Sequence, residues 1–82
     1  MARVHVSFNG SNVPIVIGDT PADPNTQIAE PTDTGYVTNQ TVIVPEGEYC
    51  VGLQTEQPYA PLWQVVRAYD GERTDIAFRT LP

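Results

Sequence analysis

The chain has 82 residues, 40% of them hydrophobic, and a formal net charge of −6 from four basic and ten acidic residues. That length holds one small domain, and the acidic balance argues against nucleic acid or an anionic membrane surface as partner, because both need clustered cations. No apolar run approaches the roughly 20 residues of a spanning helix, and a single cysteine excludes an internal disulfide or a multi-cysteine zinc site.

Helical periodicity is absent, and eight prolines and six glycines cut the chain into short pieces. Period-2 alternation appears at once: Val4, Val6 and Phe8 face one way and Arg3, His5 and Ser7 the other. Asn9-Gly10-Ser11-Asn12 is a turn cluster, and Val13 to Ile17 is a second strand with Pro14 near its start. Residues 20–35 hold Pro21, Pro24 and Pro31 among polar residues and read as one long loop, a length often functional in a small domain. Tyr36 to Val44 returns to β-type residues, broken near Asn39. Strands at Glu48 to Thr55, Leu62 to Tyr69 and Arg73 to Thr80 complete the set. Six or seven short strands predict an all-β fold, a small antiparallel β-sandwich forming one domain over residues 1–82.

Two turns predict which side chains face the core. Asp70-Gly71 reads as a two-residue type I′ hairpin turn. Its register sets Val65 opposite Ile76 and Trp63 opposite Phe78, an apolar quartet facing inward, with Val66 and Leu62 on the outer side. Burial of Trp63 would make its loss to alanine cost about 3–5 kcal/mol. Pro45-Glu46-Gly47 reads as a second hairpin turn, with Ile43 opposite Tyr49 and Thr41 opposite Val51. Tyr49, Val51 and Leu53 then face the core, away from Cys50 and Gly52, and Val42 and Val44 face outward.

The run Val44-Pro45-Glu46-Gly47-Glu48-Tyr49-Cys50-Val51, then Pro58-Tyr59, Val65 to Gly71 and Ile76 to Leu81, resembles PEGA domains. It is also similar to the carboxypeptidase-regulatory-like, transthyretin-type sandwiches. The likeness spans about half of the chain, from Thr41 to Leu81. It implies a non-catalytic module that serves as a spacer or an interaction surface, and it carries no ligand site with it.

The chemistry-bearing residues are sparse. His5 alternates outward with no nucleophile nearby, and Cys50 has no cationic neighbour in sequence to activate it. Asp19, Asp23, Glu30 and Asp33 do not follow an EF-hand spacing. Glu46 and Glu48 flank a turn, without the cleft that a glycosidase needs. Tyr36, Tyr59 and Tyr69 are expected near the surface, where a tyrosine ring packs while its hydroxyl stays wet. The expected activity is therefore not enzymatic, with no cofactor and no metal. The leading expectation is a structural or protein-interaction module, self-associating through exposed strand edges, with Tyr59, Tyr69, Val42 and Leu62 as its surface. The alternative is a carbohydrate- or calcium-binding module that uses the tyrosines and the acidic segment 19–33. The N-terminal residues lack a basic segment followed by an apolar one, which points to the cytoplasm.

Overall fold

The alternating segments form eight strands in the computed structural model, which describes residues 1–23 and 25–82. They are β1 (Ala2–Phe8), β2 (Pro14–Asp19), β3 (Ala29–Val37), β4 (Gln40–Val44), β5 (Gly47–Leu53), β6 (Tyr59–Ala60), β7 (Trp63–Ala68) and β8 (Arg73–Thr80). Pro24, counted above among the loop prolines, lies outside the described residues. One sheet has the order β4-β1-β8-β6 and the other β3-β2-β5-β7. Their inner faces share a core built on Val4, Val6 and Phe8 of β1, joined by Ile15, Val51, Leu53, Val66 and Phe78. This is the expected all-β sandwich, with one difference in polarity. β1 and β8 run parallel, from Arg3 beside Arg73 to Phe8 beside Phe78. No helix among the described residues is long and apolar enough to cross a membrane.

Both expected hairpins are instead corners between the sheets. β7 pairs with β5, while β8 pairs with β1 and β6. The tight turn does form, since the Glu72 N–H donates to the Tyr69 carbonyl at 3.0 Å. Gly71 takes a positive φ of 76°, but Asp70 is not among the residues with positive φ. That is the type II pattern, whose twist splays the flanking strands, and not the type I′ turn that pairs them. The second corner joins β4, which pairs with β1, to β5, which pairs with β2 and β7. The corners sit side by side, with the Asp70 N–H reaching Glu46 Oε1 at 3.4 Å. Among the described strands, only β2 and β3 are both consecutive and hydrogen-bonded.

The inherited facing falls with the hairpins. Val42, Val44 and Val66, expected outside, are buried in the inter-sheet core, whereas Ile43 and Val65 are exposed. Trp63 leaves the expected core quartet for the outer face of its sheet, where it packs on Val16, Ile28 and Cys50. The β8 half of the quartet holds, with Phe78 buried and Ile76 packed against the core.

The long loop is shorter than expected, because Ala29–Val37 is strand β3, laid on β2 with two register shifts. An edge strand with most side chains in solvent has no apolar alternation to reveal it, and it tolerates Pro31. The break at Asn39 is present, with φ 66°, a conformation that asparagine adopts more readily than most residues. Its carboxamide takes the Phe8 N–H and donates to the Phe8 carbonyl, both at 3.1 Å, so the side chain continues the β1 ladder through the turn. Beside it, buried Thr38 donates its N–H to the Val13 carbonyl at 2.9 Å and accepts the Val13 N–H on Oγ1 at 3.1 Å. These bonds pin the crossing from β3 to β4.

Candidate functional site

Of the four residues expected to form a surface, two are core. Val42 is 4% exposed and Tyr59 is 3% exposed, so neither offers a side chain to a partner. Val42 turns inward because β4 pairs with β1 and directs its even-numbered valines at the opposite sheet. The Tyr59 ring stands edge-on to Phe8 and Phe78, with centroids at 6.2 and 5.8 Å. Its hydroxyl accepts the Leu53 N–H at 3.3 Å. It shares its proton among the Leu53 carbonyl at 3.1 Å, the Leu62 carbonyl at 3.1 Å and Gln27 Oε1 at 3.2 Å. Burial raises its pKa above the usual tyrosine value of 10.0, against the hydrogen bonds of Leu53 and Gln27, which lower it. Tyr59 is therefore a clamp between the end of β5 and the approach to β7. Leu62 is half-buried beside that clamp, and Tyr69 is 46% exposed at the end of β7.

Tyr69 belongs to a stripe that the sequence did not mark. β7 is an edge strand, and its alternation places Trp63, Val65 and Arg67 on the outer face, followed by Tyr69. Val65 is 50% exposed. Arg67 lies opposite Glu48 with 3.7 Å between charged groups, an exposed pair of small energetic weight. Among the described residues, the backbone of Trp63–Ala68 has no hydrogen-bond partner outside β5. The Gln64 side chain instead reaches across to the Ala77 carbonyl of β8 at 2.6 Å, covering part of that strand's open edge. Among the described residues, the buried Trp63 indole Nε1 finds no acceptor. The other edges are blunter: β3 is broken by register shifts and holds Pro31, β6 has two residues, β4 exposes a single large apolar residue, Ile43, and β8, which β6 covers only at Arg79 and Thr80, exposes Arg73, Asp75 and Ala77 along its open part.

A groove of about 400 Å³ opens where the chain enters β3, against the end of β5. Val16, Ile28 and Leu53 form its buried apolar part, and Gln27, Asp33, Gln54 and Thr55 supply polar groups.

His5 lies on the outer face of its sheet between its strand partners Thr41 and Asp75, and its Nδ1 hydrogen-bonds Thr41 Oγ1 at 3.1 Å. Cys50 is buried on the outer face of the other sheet, so the sandwich separates the two. The carboxylates of residues 19–33 do not converge either. Asp23 Oδ1 accepts the Asn25 N–H at 2.9 Å and Asp33 Oδ1 the Gly35 N–H at 2.8 Å, each closing its own local turn. Among the described residues, no three of the types His, Cys, Asp and Glu gather as a metal site would require.

The class these features define is a small β-sandwich with one open, apolar-striped edge and one polar-rimmed groove. Comparison with protein-family models, with curated proteins and with solved structures finds no match.

Proposed function

We propose that the chain is a non-catalytic structural module that associates with a second copy of itself through the outer edge of β7. The observation that carries this reading is the open ladder of β7 beneath an exposed apolar stripe. Two of the most exposed large hydrophobic residues, Val65 and Tyr69, belong to that single stripe. An unpaired edge offers backbone N–H and C=O groups to an incoming strand.

The strand is also self-complementary. Antiparallel pairing about a two-fold axis at Val65 sets Val65 against its own copy. It sets Trp63 of one protomer against Arg67 of the other, and Tyr69 against Pro61. Trp63 and Arg67 of the two protomers are then neighbours on the outer face, a placement that favours an indole–guanidinium contact. The like charges of the two Arg67 side chains stay apart. A six-residue strand covers less than the roughly 1,600 Å² of a standard interface, so the association is weak and concentration-dependent. The spacer or interaction role implied by the PEGA resemblance agrees with this reading.

Sedimentation equilibrium at two concentrations tests it. The wild type should rise above its 9.0 kDa monomer mass as concentration increases. Val65→Lys should stay monomeric with an unchanged melting temperature, and Ile43→Lys should behave as wild type. A wild type that stays monomeric at both concentrations, or a Val65→Lys variant that still assembles, would overturn the proposal.

A further inference from the structure

The groove at the entrance to β3 lies beside the β7 stripe, because Trp63 packs on Val16 and Ile28, two of the groove's lining residues. We infer that it binds an uncharged sugar ring. Its volume of about 400 Å³ lies within the range of small-molecule sites, roughly 300–1,000 Å³. Val16, Ile28 and Leu53 line its apolar floor but are each less than a tenth exposed, so recognition falls mainly to the polar rim. The rim is chemically matched to hydroxyl groups, which both donate and accept. Gln27, Gln54 and Thr55 each do both, and Asp33 accepts.

Part of the groove's frame is held before any ligand arrives. The Tyr59 hydroxyl accepts the Leu53 N–H, and the Gln27 side-chain oxygen at 3.2 Å is one of the three acceptors that share its proton. The Gln54 N–H is tied to the Pro14 carbonyl at 3.0 Å. Thr55 Oγ1 accepts the Gln57 N–H at 3.1 Å, which leaves its own proton for a ligand. Asp33 uses Oδ1 on the Gly35 N–H, which leaves Oδ2 as a charged acceptor. Preorganised polar groups lose little freedom on binding.

Two further observations fit a site here. Glu30, next to Pro31 in the groove wall, adopts φ 48°, a left-handed conformation that is uncommon for a residue other than glycine. Strained residues and strand bulges recur beside ligand sites, and β2 and β3 shift register here, between Ile17 and Asp19. The charge pattern then selects the ligand. Among the described residues, no lysine, arginine or histidine lines the groove, and its one carboxylate in a chain of net charge −6 disfavours phosphate, sulfate and acidic sugars.

The test is a titration of the isotope-labelled full chain with the methyl glycosides of glucose, galactose and mannose, followed by NMR, with inorganic phosphate as the charged comparison. At least one glycoside should give saturable shifts of the Gln27 and Gln54 side-chain amides and of Ile28, with a dissociation constant of about 1 mM. Gln54→Ala should weaken that binding by at least about fivefold. Asp33→Asn should do the same, while its retained oxygen keeps the turn to Gly35 and the melting temperature unchanged. Phosphate should move none of these signals. The inference is overturned if no glycoside gives saturable shifts there, if phosphate binds in the groove, or if both variants bind as wild type. Repeating the titration on Val65→Lys, which should bind the glycoside as wild type does, reads the groove separately from association through β7.

Discussion

Replacing Tyr59 by phenylalanine removes one oxygen and leaves the ring, so its edge contacts with Phe8 and Phe78 remain. The hydroxyl accepts one N–H, from Leu53, and can donate its proton to one of three acceptors at a time. Two hydrogen bonds of about 0.5–1.5 kcal/mol each are lost. The buried Leu53 N–H is left without a partner, which adds about 1 kcal/mol. The expected loss is therefore about 2–4 kcal/mol. For a domain of this size that lowers the melting temperature by roughly 10–30 °C. Urea titrations of wild type, Tyr59→Phe and Tyr49→Phe measure it, with the denaturant slope unchanged. Tyr49 is the control, because its exposed hydroxyl donates to the Pro45 carbonyl and its loss should cost under about 1 kcal/mol. The same clamp sets a pH dependence. Burial holds the Tyr59 pKa above 10.0 in the folded chain, so between the unfolded and folded values the unfolded state binds fewer protons. The stability is complete below pH 10 and falls as the pH rises from there through the folded value, with a slope of at most about 1.4 kcal/mol per pH unit. That contribution should vanish in Tyr59→Phe. A Tyr59→Phe variant within about 0.5 kcal/mol of wild type would mean that the hydroxyl does not join β5 to the approach to β7.

Two other substitutions probe the architecture. Val66→Ala should cost about 2 kcal/mol and Val65→Ala under about 0.5 kcal/mol by urea titration, and the reverse order would restore the hairpin between β7 and β8. In Gly18→Ala the new methyl would overlap the Ala29 carbonyl oxygen, a backbone atom that cannot simply rotate away. Amide exchange should accelerate in β3 and at Ile28 ahead of the other strands, and exchange that rises evenly over the whole chain would contradict a local clash.

The positions of the strands were readable because a half-buried strand alternates. β1 shows it, and Val4, Val6 and Phe8 are buried as the pattern requires. The partners of the strands were not readable, because apart from β2 and β3 every pairing joins segments that are not neighbours in sequence. Asp70-Gly71 makes a tight turn either way. What separates a hairpin from a corner is the sign of φ at Asp70, which the dipeptide does not fix. A hairpin at Asp70-Gly71 puts Val65 inside and a hairpin at Pro45-Glu46-Gly47 puts Val42 outside, and both facings reverse once the turns are corners between the sheets. Tyr59 looked like a surface tyrosine because the groups that satisfy its hydroxyl are backbone atoms of Leu53 and Leu62, which no side-chain pattern reports. The groove shares that property. Gln27, Asp33 and Gln54 come together only through the pairing of β2 with both β3 and β5. Tyr69 was legible, since an aromatic residue before a turn and at the end of a strand is seldom covered.

Backbone amide shifts of the labelled chain, recorded over a range of protein concentrations, test self-association through β7 most directly. Shifts that grow with concentration, confined to residues 63–69 and absent in Val65→Lys, are the expected result. Shifts centred on residues 40–44, or none at any concentration, would show that the β7 edge is not where this chain meets its partner.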